Sequence, residues 1–255
     1  MKKIVLILTF VLVSSISSAL TLEDIKWYTE DYPPYNFKEN GVLKGIAVET
    51  LVAMWKKAGL NKNVNDINLV PWARGVNKIK TIPGTCLFST TITAERKNVL
   101  EWKYVFPIPQ KIDAAGYHLI AKKGKGIKFN SVADIQNYDK RIGVVRGDIC
   151  ESLLLEINVN ANKFDKAVDP KTLIKKLDNK RYDVIAYAHP TIVILMKELG
   201  MNIDAYEVVF TFADKSMGYA FHKSTDLEIL KKLQKALDEL YLEQFDEQIL
   251  KKYQQ

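Results

Sequence analysis

An alternation constrains this chain more than any other feature. Short apolar runs alternate with amphipathic stretches of helical period, and the alternation starts afresh in the middle of the sequence. Strand and helix signals in turn imply an α/β protein with helices packed on its sheets. "IKWYT" (25–29) reads as a strand ending in the turn-rich "EDYPPYNF", and "GIAVETLVAMWKKAG" (45–59) as a helix closed by Gly59. "INLVPW" (67–72) reads as a second strand. A helix rises from Arg74 and stops before Pro83 and Gly84, "TCLFST" (85–90) is a third strand, and a short helix starts near Ala94.

After "WKYVFPIPQK" the pattern resumes with "DAAGYHLIAKK" (113–123) as a strand and "SVADIQ" as a helix capped by Ser131, with Asp134 in its first turn. "RIGVVRGD" is a strand and tight turn, "ICESLLLE" and "PKTLIKKLDN" are helices, "YDVIAYAHP" is a strand, and "TIVILMKELG" is a helix ending at Gly200. A last strand, "MGYAFHK" (217–223), precedes two amphipathic helices with Leu227, Leu230, Leu233 and Leu237 as their apolar stripe. Two α/β units joined at two places leave a cleft between lobes, where open sheets bind ligands.

The first residues stand apart. Lys2 and Lys3 precede the apolar run Ile4 to Val13, and small residues at Ser17 and Ala19 follow. This is the pattern of a signal peptide cut after Ala19, with an apolar run too short to span a bilayer. The expected product, residues 20–255, is a periplasmic protein. The formal charge of +7, less Lys2 and Lys3, leaves +5. Its lysines are interleaved with acids, which suits a solvated surface and not a nucleic-acid stripe. The three histidines (His118, His189, His222) lack metal-ligand spacing, and no cofactor or metal is expected. Cys86 and Cys150 fall in different segments, so a disulfide between them is not the favoured reading.

One stretch carries recognisable chemistry. "STTITAERK" (89–97) leaves an apolar strand through four hydroxyls and sets Arg96 just beyond it. A guanidinium is a planar fork suited to a carboxylate, and hydroxyls suit both capping and anion contacts. Taken with "DYPPY", "G-x-x-x-G-x-x-x-E", "T-x-T-x-E-R" and "MGYAFHK", the chain resembles the periplasmic solute-binding proteins of the polar-amino-acid type (family 3), which serve ABC importers. The resemblance spans nearly all of residues 20–255 and keeps the motifs in order.

It implies a two-lobed periplasmic-binding-protein type II fold, each lobe a mixed five-stranded sheet flanked by helices. Lobe 1 would comprise residues 20–109 plus 216–255 and lobe 2 residues 110–215, with hinge crossings near 108–112 and 212–217. It implies that Arg96 clamps a ligand carboxylate, helped by the hydroxyl and N–H of Thr91 and by helix-start N–H groups, and that Ser89 lends its backbone carbonyl as an acceptor to the ligand. Glu30 falls where the family carries an acid near the ligand's ammonium. Tyr32 and Trp72 fall where rings sandwich the ligand. Arg74 is either a second anion contact or a surface residue at a helix start.

In lobe 2, the turn "VVRGDIC" (144–150) is expected to present N–H groups from Gly147 through Asp148 to Cys150, with Gly147 permitting close backbone approach and Arg146 reaching the ligand. The stretch "AYAHP" departs from the family. Where amino-acid binders place an ammonium-holding aspartate, this chain has Ala188, flanked by Tyr187 and His189. A buried cation without a partner costs several kcal/mol, which weakens the case for an ordinary α-amino acid.

The expected function is non-enzymatic capture of a small carboxylate-bearing solute by a monomer that docks on an ABC permease. An enzyme on the same scaffold, a cyclic-acid dehydratase with Glu30, His189 and Cys150 as candidate groups, is the rival, although their spacing shows no nucleophile with its base. A ligand sensor for a membrane receptor is the third reading.

Overall fold

A computed structural model of the protein describes residues 20–110, 116–213 and 215–253. In chain order the first elements are β1 (Lys26–Thr29), the hairpin of β2 (Phe37–Glu39) and β3 (Val42–Lys44), α1 (Ile46–Lys57), β4 (Ile67–Leu69), α2 (Trp72–Thr81), β5 (Thr85–Thr91) and β6 (Lys103–Val105). There follow β7 (Tyr117–Lys122), α3 (Val132–Asn137), β8 (Ile142–Val145), α4 (Ile149–Glu156), β9 (Phe164–Ala167), α5 (Pro170–Asp178), β10 (Val184–Ala188), α6 (His189–Glu198) and β11 (Tyr206–Ala213). The chain closes with β12 (Met217–Phe221), α7 (Leu227–Leu242) and α8 (Phe245–Tyr253).

The strands form two five-stranded mixed sheets, in the orders β4-β1-β5-β12-β6 and β11-β7-β10-β8-β9. In the first, β1 is parallel to β4 and β5, and β12 is antiparallel to β5 and β6. In the second, β8, β9 and β10 are parallel, and β7 runs antiparallel to β10 and β11. Every residue of β5, β10 and β12 is buried, as expected for strands covered on both faces. The covering helices present apolar stripes. Ile46, Leu51, Met54 and Trp55 of α1 are buried, and Trp55 meets Trp27 of β1 edge-on at 5.1 Å.

The chain leaves the first sheet after β6 and returns to it at β12, so it passes between the sheets twice. Residues 111–115 and 214 of these passages, like 1–19, lie outside the described residues, and the hinge positions expected at 108–112 and 212–217 are covered only in part. Ile108 N–H donates to Met217 O and Ile92 N–H to Ser216 O, both at 2.9 Å, which ties the two passages to the first sheet.

Local expectations need four corrections. "INLVPW" is strand only to Leu69, because proline cannot donate to a ladder, and Trp72 opens α2 instead. The helix expected near Ala94 is a single π-helical turn, Glu95–Val99. Leu227 is 59% exposed, and the buried stripe of α7 is Ile229, Leu230, Leu233, Ala236, Leu237 and Leu240. The hairpin, β6, β9 and β11 had no clear signal. Cys86 and Cys150 are both buried and free, one in each sheet unit.

Candidate ligand-binding cleft

The first wall of the cleft is built by the ends of β1 and β5. Beyond β1, Tyr32 and Asn36 close a tight loop, with Tyr32 N–H donating to Asn36 O at 2.6 Å and Asn36 N–H to Tyr32 O at 3.1 Å. The fully buried Asn36 side chain donates to Glu30 O at 2.5 Å and accepts from Ser89 Oγ, which clamps the loop to β5. Ser89 has φ +57°, and two residues of β5, Phe88 and Ser89, face Tyr219 between the Leu87–Ala220 and Thr90–Gly218 pairs. This bulge bends the strand end, as bulges beside functional sites do.

Arg96 follows on the π-helical turn and is 5% exposed. Its backbone N–H donates to Thr93 Oγ1 at 3.1 Å and its Nη1 to Thr91 O at 2.9 Å. Its guanidinium carbon lies 5.3 Å from the Trp72 ring centre and 5.7 Å from that of Trp102. The two indoles hold the planar cation by their faces. Among the described residues no carboxylate lies within 4.0 Å of it, although fourteen other ion pairs are formed.

The second wall is the turn after β8 and the end of β10. Asp148 is the N-cap of α4 and is 5% exposed. Its Oδ1 accepts from Cys150 N–H at 2.9 Å, while Glu151 Oε2 accepts from Gly147 N–H at 2.8 Å. The N–H groups expected to meet an anion are therefore taken by the turn's own carboxylates, which give this wall an acidic character. Gly147 has φ +70° but open space around a would-be Cβ, so its backbone conformation requires glycine and crowding does not. Tyr187 is buried and its hydroxyl has no partner among the described residues.

Polar contacts join the walls. Trp72 Nε1 donates to Gly147 O at 2.6 Å, the Thr91 and Tyr117 hydroxyls share a 2.7 Å hydrogen bond, and Lys171 of α5 lies 3.2 Å from Asp31. The Tyr32 and Tyr187 rings meet edge-on at 6.0 Å. Burial pushes the Glu30 carboxyl well above the usual range, and the nearby charges of Asp148 and Asp31 push it further against a weaker pull from Arg96. Burial likewise raises Asp148, opposed by its hydrogen bonds and by Arg96.

The profile of the bacterial extracellular solute-binding proteins, family 3, matches residues 25–255. The chain is a family 3 solute-binding protein. It is 26% identical over 212 residues to the arginine-binding extracellular protein ArtP of Bacillus subtilis (strain 168), covering 82% of this chain and 77% of that one. Its fold matches the arginine-, lysine-, histidine-binding protein ArtJ of Geobacillus stearothermophilus with TM-score 0.74 at 20% identity, over 90% of this chain and 95% of that one. A histidine kinase sensor domain similar to periplasmic binding proteins matches equally well, with TM-score 0.74 at 19% identity over 90% and 96%.

In this solute-binding protein Glu30, Tyr32, Trp72, Ser89, Thr91, Arg96, Asp148 and Tyr187 are all buried around the cleft. Three expected residues have other surroundings. Arg74 and Arg146 are exposed, and Arg74 falls off the buried stripe Trp72, Gly75, Ile79 of its helix. His189 shares a helical stripe with Ile192, Val193 and Met196, lines a groove with Ile120 and Tyr206, and packs on His118 at 5.4 Å. No described contact joins it to Glu30 or Cys150, so the rival catalytic trio is not brought together. Ala188 is the N-cap of α6 and caps no N–H. Asn36, Trp102 and Tyr117 were missed. Asn36 lay within the turn-rich stretch, whereas nothing local marks the other two as cleft residues.

Proposed function

We propose that the protein captures a small carboxylate-bearing solute, an amino acid or a related compound, between its lobes and delivers it to an ABC permease. Export of residues 20–255 to the periplasm places it where such a solute is met. One observation carries the reading: Arg96 is buried, stacked between Trp72 and Trp102, and without a carboxylate partner among the described residues. A desolvated cation of this kind is costly until an anion joins it. Thr91, whose carbonyl accepts from Arg96, also meets Tyr117 of the other wall, so an anion there would touch groups from both lobes. The relatives named for arginine support an amino acid or a compound close to one.

Arg96→Ala should weaken solute binding by about 2–5 kcal/mol, the range for removing one partner of a desolvated charge pair. Titration calorimetry beside a melting curve of the ligand-free variant checks this. Unchanged affinity with a lowered melting temperature would make Arg96 structural. A sensing role is the second reading, favoured by the sensor-domain fold match. Co-purification with a permease or with a receptor kinase separates the two.

A further inference from the structure

We propose that Tyr253 of α8 is a positioning residue for the first wall of the cleft: its hydroxyl holds the start of α1, and through it the loop of Tyr32 and Asn36, in the shape that receives solute. This rests on the solute-trap reading and adds to it a residue that lies outside the cleft.

Gly45 precedes α1 and brings no side chain to cap the helix's free N–H groups. Carbonyls of the cleft loop take those of Ile46, Ala47 and Val48, the last donating to Tyr35 O at 3.4 Å. The N–H of Gly45 itself belongs to a buried residue, and a buried N–H needs an acceptor. The Tyr253 hydroxyl oxygen accepts from it at 3.0 Å, across 208 residues of sequence. The same hydroxyl donates to Glu49 Oε1 in the first turn of α1, so one group both accepts and donates there.

Two further contacts aim the side chain. Phe37 of β2 meets the Tyr253 ring edge-on at 6.1 Å, and Lys252 pairs with Glu49 at 2.6 Å. Phe37 directly follows Asn36, and Gly45 is where the chain returns from the hairpin. Tyr253 therefore touches both points at which the hairpin joins the cleft loop.

Without the hydroxyl, the Gly45 N–H finds an acceptor only by moving towards water, and Gly45 cannot move alone. A Cβ built on it would lie 2.4 Å from Tyr35 O and 2.8 Å from Asn36 N, which measures how closely the two backbone segments pack. Asn36 would shift with them, and its side chain carries the contacts to Glu30 O and Ser89 that shape the wall. The helix itself stays in place. Ile46, Leu51, Met54 and Trp55 hold it in the core, and the Tyr219 hydroxyl donates to Ala47 O at 2.8 Å. A loop that must be ordered during binding lowers affinity by the cost of ordering it.

Tyr253→Phe in the exported chain removes the hydroxyl and keeps the ring on Phe37. In the ligand-free protein, amide hydrogen exchange should quicken about tenfold at Tyr32, Tyr35, Asn36 and Gly45 to Val48, and stay at parent rates in β5, later α1 and the second sheet. Calorimetry with L-arginine should show binding weakened at least threefold. Lys252→Gln removes only an exposed ion pair and should leave both readouts at parent values. Unchanged exchange, or exchange raised evenly along α1 and α8, would overturn the assignment, as would local quickening with parent affinity for arginine. Failure of the amino-acid reading shows itself separately, as a parent protein silent to arginine, and the exchange pattern then upholds or overturns the role of Tyr253 by itself.

Discussion

Glu30 and Asp148 hold their protons more tightly in the folded protein than in the unfolded chain, burial being the first cause for both. An acid with a raised folded pKa binds more protons when folded at every pH between its ordinary value, about 4, and its raised one. Stability contributed by the neutral form is present below the ordinary value and is lost as pH rises through that interval. The groups facing Glu30 are Asp148, Asp31 and Asp169, all of which add to the effect, and Arg96, which opposes it. The ligand-free protein should therefore melt at lower temperature as pH rises from 4 towards neutrality. Glu30→Gln should flatten that slope in calorimetric scans. A slope unaffected by Glu30→Gln would mean that Glu30 is already ionised at ordinary pH.

The cleft depends on one junction between elements, where the loop after β1 meets the start of α1. The carbonyls of Pro34 and Tyr35 accept from Ile46 and Ala47 N–H at 3.0 and 2.9 Å, so the loop serves as the helix cap that Gly45 has no side chain to provide. Gly45 has φ +123°, and a Cβ there would lie 2.4 Å from Tyr35 O. Gly45→Ala combines backbone strain with a steric clash, which together should cost about 2–4 kcal/mol in a denaturant titration. Affinity should fall as well, because the displaced loop carries Tyr32 and Asn36. Stability equal to that of the parent protein would show that the junction yields without cost.

At the scale of the whole molecule, the lobes touch through few polar contacts. Among the described residues the Thr91 to Tyr117 pair is buried and the Trp72 to Gly147 bond part-buried, whereas Lys171 and Asp31 are half-exposed and contribute little. Solute bridging both walls should shift the equilibrium towards the closed form, and scattering should show a smaller radius of gyration on binding. Trp72→Phe keeps an aromatic face on Arg96 but removes the N–H that reaches Gly147 O. Its ligand-free form should populate the open state more than the parent does, with a larger radius, and saturating solute should restore compactness. Identical radii before and after solute would leave no role for closure.

The sequence by itself determined the α/β alternation, its restart, the family and the position of Arg96 just beyond β5, because each rests on local period or on motifs a short window contains. Ser131 at the start of α3, with Asp134 bonded back to it, was legible for the same reason. The stripe holding His189 with Ile192, Val193 and Met196 was equally present, but the strand-end position of His189 concealed that it turns away from the cleft. Strands β6 and β11 escaped because partial burial blurs the two-residue period. Only the tertiary structure decided the electrostatics of the cleft. Trp72 reaches Arg96, Tyr117 reaches Thr91 and the charge of Asp148 acts on Glu30 through packing of segments distant in sequence, and the sign of the field in a buried site depends on which charges packing desolvates together.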